Sequence, residues 1–132
     1  MASVFSKIVA GEIPCFKIAE NDHYFAFLDI SPLAKGHTLV IPKKETDYLF
    51  DIEENEHKGL WDFARKVAKA VGEAVPCKRV GVAVIGLEVP HAHIHLIPMN
   101  RVSDMNFANP KITVPSDEME KIAEAIREKI SV

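Results

Sequence analysis

Three of the six histidines stand at alternate positions in one short stretch, as His91, His93 and His95. Near neutral pH an imidazole can act as a nucleophile, a hydrogen-bond partner or a metal ligand, so this clustering indicates a chemical site. In a strand, residues two apart point to the same face, which would align the three rings and turn Ala92 and Ile94 towards a core. The prolines on either side suit a strand better than a helix. We therefore predict a strand that carries a row of imidazoles.

Three interpretations of this histidine row compete. Chance surface histidines are an ordinary explanation for one imidazole but a poor one for three in register. The second interpretation is a divalent metal site, because imidazoles on one strand can share zinc, with Glu88 as a further ligand. Against it, no other Cys, Asp or Glu pair has metal-ligand spacing. The third is phosphoryl or nucleotidyl transfer, in which one imidazole attacks phosphorus and its neighbours donate hydrogen bonds to the phosphate oxygens and the leaving group. The row supplies a nucleophile and donors without a metal, so we favour the third.

The composition excludes several classes of protein. The chain has 132 residues, of which 48% are hydrophobic and 27% charged, which is typical of one globular domain over residues 1–132. Its 16 basic and 19 acidic residues leave no basic surface for nucleic acid. We expect no membrane association, because no apolar run approaches the roughly 18 residues of a membrane span and no signal peptide is recognisable. Cys15 and Cys77 form neither a metal pair nor a disulfide framework, which favours a reducing compartment, the cytoplasm.

The elements that must position the histidines indicate an α+β domain with an antiparallel sheet of about five strands and one long helix. Ser3 is a predicted N-cap of a short first helix, and Ser116 of the last helix. Residues 101–115 lack periodicity and should be irregular; they are a candidate cover for the site or for a dimer partner. The predicted strands are 16–20, 23–29, 37–41, 80–85 and the histidine stretch. The predicted long helix is 53–75, and its apolar stripe consists of Leu60, Phe63, Ala64, Val67, Ala68 and Val71.

Three separate blocks resemble one known family. The run His-Ala-His-Ile-His-Leu-Ile at 91–97 matches the signature of the histidine triad (HIT) family, in which histidines alternate with apolar residues. Residues 5–14 resemble that family's opening segment, and residues 26–44 its central block. The resemblance is to the histidine-triad nucleotide-binding proteins and covers about 3–98, with a variable segment at 99–132. It implies that two subunits pair through the long helix and a strand edge into one continuous sheet.

The resemblance also implies roles for the histidines. His93 matches the nucleophile, which attacks the α-phosphorus of a nucleotide conjugate and forms a nucleotidyl-histidine that water hydrolyses. His91 and His95 flank it as phosphate and leaving-group partners, and His37 matches a further histidine near the site. Asp29 matches the residue that binds the ribose hydroxyls.

The apolar clamp of the family and its phosphate loop map onto further positions. The asparagine that often contacts phosphate in relatives has no counterpart, and Ile85 is the nearest position. Glu88 and Val89 then lie close to the phosphate, where the carboxylate would repel it or contact a leaving amine. The clamp around the base matches Phe5, Ile8, Phe27, Ile30 and, beside them, Val4.

Some bacterial relatives bind structural zinc through two cysteines, a histidine and the first motif histidine. Ser3, Ser6 and Glu45 stand at the first three of these places, so the sequence predicts no metal there and no cofactor.

These observations lead to one functional expectation and two alternatives. The resemblance implies a homodimeric enzyme of the purine nucleoside phosphoramidase type, which cleaves AMP or GMP conjugates through a covalent nucleotidyl-histidine. The first alternative is a nucleotide-binding regulatory protein with little catalysis. The second is a metal-dependent enzyme that uses the histidine row.

Overall fold

A five-stranded antiparallel sheet forms the centre of the protein, in the strand order β1-β2-β3-β5-β4. The structure is a computed structural model and describes residues 2–130. The predicted α+β class, with about five antiparallel strands and one long helix, is confirmed. The strands are β1 Lys17–Glu20, β2 Tyr24–Leu28, β3 Thr38–Pro42, β4 Arg79–Ala83 and β5 Ile94–Met99, and the helices are α1 Val4–Val9, α2 Glu54–Ala74 and α3 Ser116–Lys129, with short 3-10 helices at Leu49–Asp51 and Val102–Met105.

One face of the sheet is covered by α2 and α3. The apolar stripe of α2 lies against this face, and Leu60, Val67 and Val71 are completely buried. Burial of each such side chain contributes about 1.5–3 kcal/mol, so the long helix holds the sheet from this side. No helix within residues 2–130 is long and apolar enough to cross a membrane.

The opposite face of the sheet carries α1 and a smaller apolar cluster. Phe5 of α1 packs with Phe25, Phe27, Leu39 and Ile41 of β2 and β3, all of them buried. The α1 face therefore has less apolar cover than the face beneath α2, and this leaves room for polar side chains.

The first and last helices begin differently. The predicted cap of α1 is confirmed, because the Ser3 hydroxyl accepts a hydrogen bond from the Ser6 N–H at 3.0 Å. The predicted cap of α3 is wrong by one residue: Pro115 is the N-cap, and Ser116 is the first helical residue. No side chain caps α3, but two acidic residues in its first turn interact favourably with the positive end of the helix dipole.

The histidine strand is shorter than predicted, because β5 begins at Ile94 rather than at His91. The backbone N–H of His91 donates to the Val89 carbonyl, and that of Ala92 to the Thr46 carbonyl, so neither joins the sheet ladder. The predicted alternation nevertheless holds, because Ala92 and Ile94 lie in the core beneath α2.

Candidate active site

Three strand ends bring the polar residues of the site together. Asp29 follows β2 and His37 precedes β3, and the Asp29 N–H donates to the His37 carbonyl at 2.9 Å, which closes the loop between them. β3 pairs with β5 so that Leu39 lies opposite His95, and His93 stands just before β5. The sheet topology therefore brings together Asp29 and His95, which lie half the length of the chain apart in sequence.

These residues line a pocket of about 300 Å³ on the α1 face. The wall combines imidazoles and carboxyl groups with apolar side chains, a composition typical of small-molecule sites. Of the residues proposed from the sequence, the wall contains Phe5, Asp29, His37, Glu88, Val89, His93 and His95.

The ring of His93 is held in one tautomer. Its Nδ1 lies 2.8 Å from the carbonyl oxygen of His91, an acceptor only, so Nδ1 carries the proton and donates to that oxygen. The lone pair is then on Nε2, which has no hydrogen-bond partner among the described residues. The ring packs nearly perpendicular to that of Phe5, with ring centroids 4.9 Å apart. His93 therefore presents a fixed nucleophilic nitrogen.

A directed chain of hydrogen bonds sets the tautomer of His95. The Leu33 N–H donates to His37 Nδ1 at 3.0 Å, so the proton of His37 is on Nε2. That Nε2–H donates to His95 Nδ1 at 2.9 Å. The proton of His95 must then be on its own Nε2, which leaves an N–H donor available in the ring next to His93.

Burial keeps both rings of this chain uncharged. Desolvation, followed by the charges of neighbouring groups, lowers the pKa of His37 to about 3 and that of His95 to about 4. Their hydrogen-bond directions therefore persist at neutral pH, since neither ring gains a second proton there.

The carboxyl group of Asp29 lies beside this chain. The Ser31 N–H donates to Asp29 Oδ1 at 2.9 Å, and Oδ2 lies 3.6 Å from His37 Nε2. Desolvation raises the pKa of Asp29, while the Ser31 hydrogen bond and the charge of Lys111 oppose that effect. The group is an acceptor at the pocket wall, as binding of hydroxyls requires.

His91 is not part of the pocket wall, in contrast to the expectation that all three rings serve one open face. Its Nε2 donates to the Pro42 carbonyl at 2.8 Å, and its Nδ1 accepts from the Ser3 hydroxyl at 2.8 Å. The ring is completely buried, and burial lowers its pKa. Both ring nitrogens are used, so its contact with the site is the carbonyl group that orients His93.

Comparison with known proteins decides the family. A sequence profile described as the HIT domain matches residues 10–102. The chain is also 34% identical over 132 residues to the adenosine 5′-monophosphoramidase of Schizosaccharomyces pombe, covering 98% of this chain and 99% of that protein. The chain belongs to the HIT family.

Solved HIT structures share the fold over nearly the whole chain. A Hit-like protein from Bartonella henselae is 32% identical, with a TM-score of 0.84 over 97% of this chain and 96% of that one. A zinc-bound histidine triad family protein from Mycobacterium smegmatis is 28% identical, with a TM-score of 0.83 over 98% of this chain and 93% of that one.

The residues at the zinc position of some HIT relatives do not fit zinc in this chain. Ser6 Oγ donates to Glu45 Oε1 at 2.7 Å, and the Ser3 N–H donates to the same oxygen at 2.6 Å. The Ser3 hydroxyl also holds His91, so two hydroxyls stand where a structural zinc needs thiolates or imidazoles. A hydrogen-bonded cluster fills this corner of the HIT fold.

A second candidate for a metal is the group of Asp29, His37 and His95, whose ligand atoms lie within 4.8 Å of one another. A cation needs the lone pairs of both imidazoles. The nitrogens of His37 and His95 that face each other share a proton in a hydrogen bond, and the other nitrogen of His37 accepts from the backbone. These residues fit a hydrogen-bond chain better than a metal site.

The apolar residues proposed as a base clamp divide into two groups. Phe5 lines the pocket, and Phe27 and Ile8 pack beside it in the smaller cluster. Val4 and Ile30 are exposed, at 43% and 76%, and the pocket wall does not include them.

The pocket also contains residues that the sequence did not indicate as site residues. Phe107 and Lys111 come from the irregular segment 101–115, whose position over the site was one of two expectations. The ring of Phe107 packs nearly perpendicular to that of His95, with centroids 4.8 Å apart. Ser31 and Leu39 join the wall from the other side. No residue pattern near Lys111 marks it, because its position depends on how the segment folds back.

Proposed function

We propose that this protein hydrolyses nucleoside monophosphate conjugates through a covalent nucleotidyl intermediate on His93. The observation that supports this most directly is the tautomer of His93, whose Nδ1–H is bound to a carbonyl oxygen so that Nε2 is free to attack. A neutral imidazole nitrogen with its lone pair directed at a pocket is the nucleophile that phosphoryl chemistry needs.

The reaction has two steps. His93 Nε2 attacks the α-phosphorus and forms a P–N bond, while the bond from phosphorus to the leaving group breaks. The leaving group takes a proton from solvent, and the water that attacks in the second step returns one. Water then attacks the nucleotidyl-histidine, breaks the P–N bond and releases the nucleoside monophosphate. The His95 Nε2–H, directed by His37, donates a hydrogen bond to the phosphate or the leaving group in both steps.

The remaining wall supplies the binding groups for the nucleoside. The Asp29 carboxylate accepts hydrogen bonds from the ribose hydroxyls, and Phe5 provides the apolar surface for the base, supported by Phe27 and Ile8. Glu88 and Val89 lie on the phosphate side, where the Glu88 carboxylate contacts an amine leaving group. Val4 and Ile30 extend the base surface at its edge.

The substrate class rests on the relatives. The relative from Schizosaccharomyces pombe is named adenosine 5′-monophosphoramidase. So is a relative from Saccharomyces cerevisiae, which is 39% identical over 98 residues that cover 74% of this chain and 62% of that protein. Purine nucleoside phosphoramidates, AMP conjugates first, are therefore the proposed substrates.

The test is incubation of the protein with adenosine 5′-phosphoramidate and measurement of AMP release. His93→Ala should abolish turnover and leave AMP binding largely intact, because the donors and the base surface remain. An adduct of nucleotide mass on the wild-type chain, absent from His93→Ala, would support the covalent step. His23→Gln, a change in an exposed turn, is the matched control.

Three results would contradict the proposal. Wild-type protein that binds AMP without turning over any phosphoramidate would favour the regulatory alternative. Activity that disappears with a chelator and returns with zinc would favour the metal-dependent alternative. Full activity of His93→Ala would exclude His93 as the nucleophile.

We further propose that two copies pair through α2 and β4. The strand β4 is at the sheet edge, and a mainly apolar groove of about 450 Å³ lies along it, lined by Trp61, Ala68 and Gly72 of α2. Val82 of β4 is 50% exposed in this groove. An open edge strand with apolar neighbours is a surface that proteins normally cover, and a second copy of β4 extends the sheet.

Sedimentation of wild-type protein and of Val82→Glu tests this pairing. We expect a dimer for wild type and a monomer for Val82→Glu, whereas the control Val102→Glu, at a residue 86% exposed outside the groove, should stay dimeric. A monomeric wild type would refute it. The proposed location is the cytoplasm, since Cys15 and Cys77 are both free thiols.

A further inference from the structure

The pocket has an unusual balance of charge for a site that receives phosphate. Two acidic side chains, Asp29 and Glu88, belong to its wall. His37 and His95 are uncharged at neutral pH, because burial lowers their pKa values to about 3 and about 4. Among the wall residues that the structure describes, Lys111 is the one with a permanent positive charge. A phosphate anion that leaves water needs such a partner.

The irregular segment after β5 is fixed so that it carries Lys111 to the pocket. The Ile112 N–H donates to the Pro32 carbonyl at 2.9 Å, which attaches the segment to the loop between β2 and β3. On the other side of Lys111, the ring of Phe107 packs against the ring of His95. The segment is thus anchored on both sides of Lys111 by the chain itself.

The ammonium group of Lys111 has N–H donors that the rest of the described chain does not use. Its Nζ donates to the Phe107 carbonyl at 3.2 Å and lies 5.7 Å from the centre of the Phe107 ring. An ammonium has three N–H donors, so this carbonyl leaves two for a ligand. The charge also acts on the catalytic corner, because Lys111 is among the causes of the lowered pKa of His95.

We propose that the Lys111 ammonium binds the phosphate group of the nucleotide and supplies the positive charge for this pocket. This inference rests on the proposed nucleotide-binding function and goes beyond it by assigning the phosphate to a residue of the segment 101–115. Lys111 then holds the phosphate, while the carboxylate of Glu88, which lines the same pocket, is left for a cationic leaving group.

The experiment compares the binding of AMP with that of adenosine, by chemical-shift titration, in wild type and in Lys111→Met, which keeps the apolar stem. We expect Lys111→Met to weaken AMP binding by about tenfold to a hundredfold, the effect of one charge-assisted hydrogen bond, and to leave adenosine binding unchanged. Lys111→Arg should retain most of the affinity for AMP, because it keeps the charge. Lys58→Met is the matched control, since Lys58 is 70% exposed on α2 beneath the other face of the sheet.

The outcomes separate this inference from the proposed function. Equal loss of AMP and adenosine binding in Lys111→Met would mean that Lys111 only holds the segment in place, and unchanged AMP binding would also overturn the inference. If wild type binds AMP but does not hydrolyse phosphoramidates, the catalytic proposal fails while a selective loss of AMP binding in Lys111→Met still supports the role of Lys111.

Discussion

Acid should destabilise this protein well above the pH at which its carboxylates titrate, because two buried histidines are held neutral. The folded-state pKa values of His37 and His95 are about 3 and about 4, below the ordinary value near 6.5 of an unfolded chain. Between those values the unfolded chain binds more protons than the native one, so the free energy of unfolding falls as the pH falls. This contribution is fully present above about pH 6.5 and is lost towards the folded pKa values.

The magnitude follows from the same shifts. From about pH 7.5 to about pH 5, each unfolded histidine takes up nearly one proton while the native ring takes up almost none, which corresponds to about 2 kcal/mol per ring. We therefore expect a loss of about 4 kcal/mol for the pair, out of a total stability of about 5–15 kcal/mol for a domain of this kind. The pKa values of Glu45 and Glu53 are lowered by hydrogen bonds, so these carboxylates lose their contribution only at lower pH.

Urea unfolding at a series of pH values measures this loss. His37→Gln removes one of these rings, so its loss over the same range should be smaller than that of wild type by about 2 kcal/mol, whatever its stability at neutral pH. His23→Gln, in the exposed turn before β2, should keep the full dependence. A free energy of unfolding that stays level or rises from about pH 7.5 to about pH 5 would refute the neutral hydrogen-bond chain that directs the His95 donor.

Two further substitutions test the architecture around the site. Gly36→Ala should lower the free energy of unfolding, measured in urea, by about 1–3 kcal/mol, because φ of Gly36 is +90° and an added Cβ would lie 2.8 Å from Cγ2 of Val75. The control Gly11→Ala should lower it by less, because Gly11 has φ +80° but open space around it. Ser3→Ala should cost about 2 kcal/mol, because it removes the N-cap of α1 and leaves Nδ1 of the buried His91 with only the more distant Ser6 hydroxyl, at 3.5 Å. An unchanged urea midpoint would show that the Ser3 hydroxyl has no such role.

Local sequence patterns were sufficient for the elements. The stripe of α2 and the Ser3 cap were predicted because periodicity and capping depend on residues a few positions apart. The strand boundaries depend on distant partners: β5 starts at Ile94 because the Ala92 N–H donates to the Thr46 carbonyl instead of to a neighbouring strand. No local pattern contains that partner.

The sequence by itself determined the kind of chemistry, since three histidines at alternate positions indicate an imidazole site and their apolar neighbours indicate a sheet. The spacing alone does not rank the three rings, and only the resemblance to the HIT family singles out His93 as the nucleophile. Tertiary structure separates them: Ser3 and Pro42 use both nitrogens of His91, while His37 directs the free donor of His95. The physical reason is that a ring's tautomer depends on the partner of each nitrogen, and in this fold those partners come from other strands and loops.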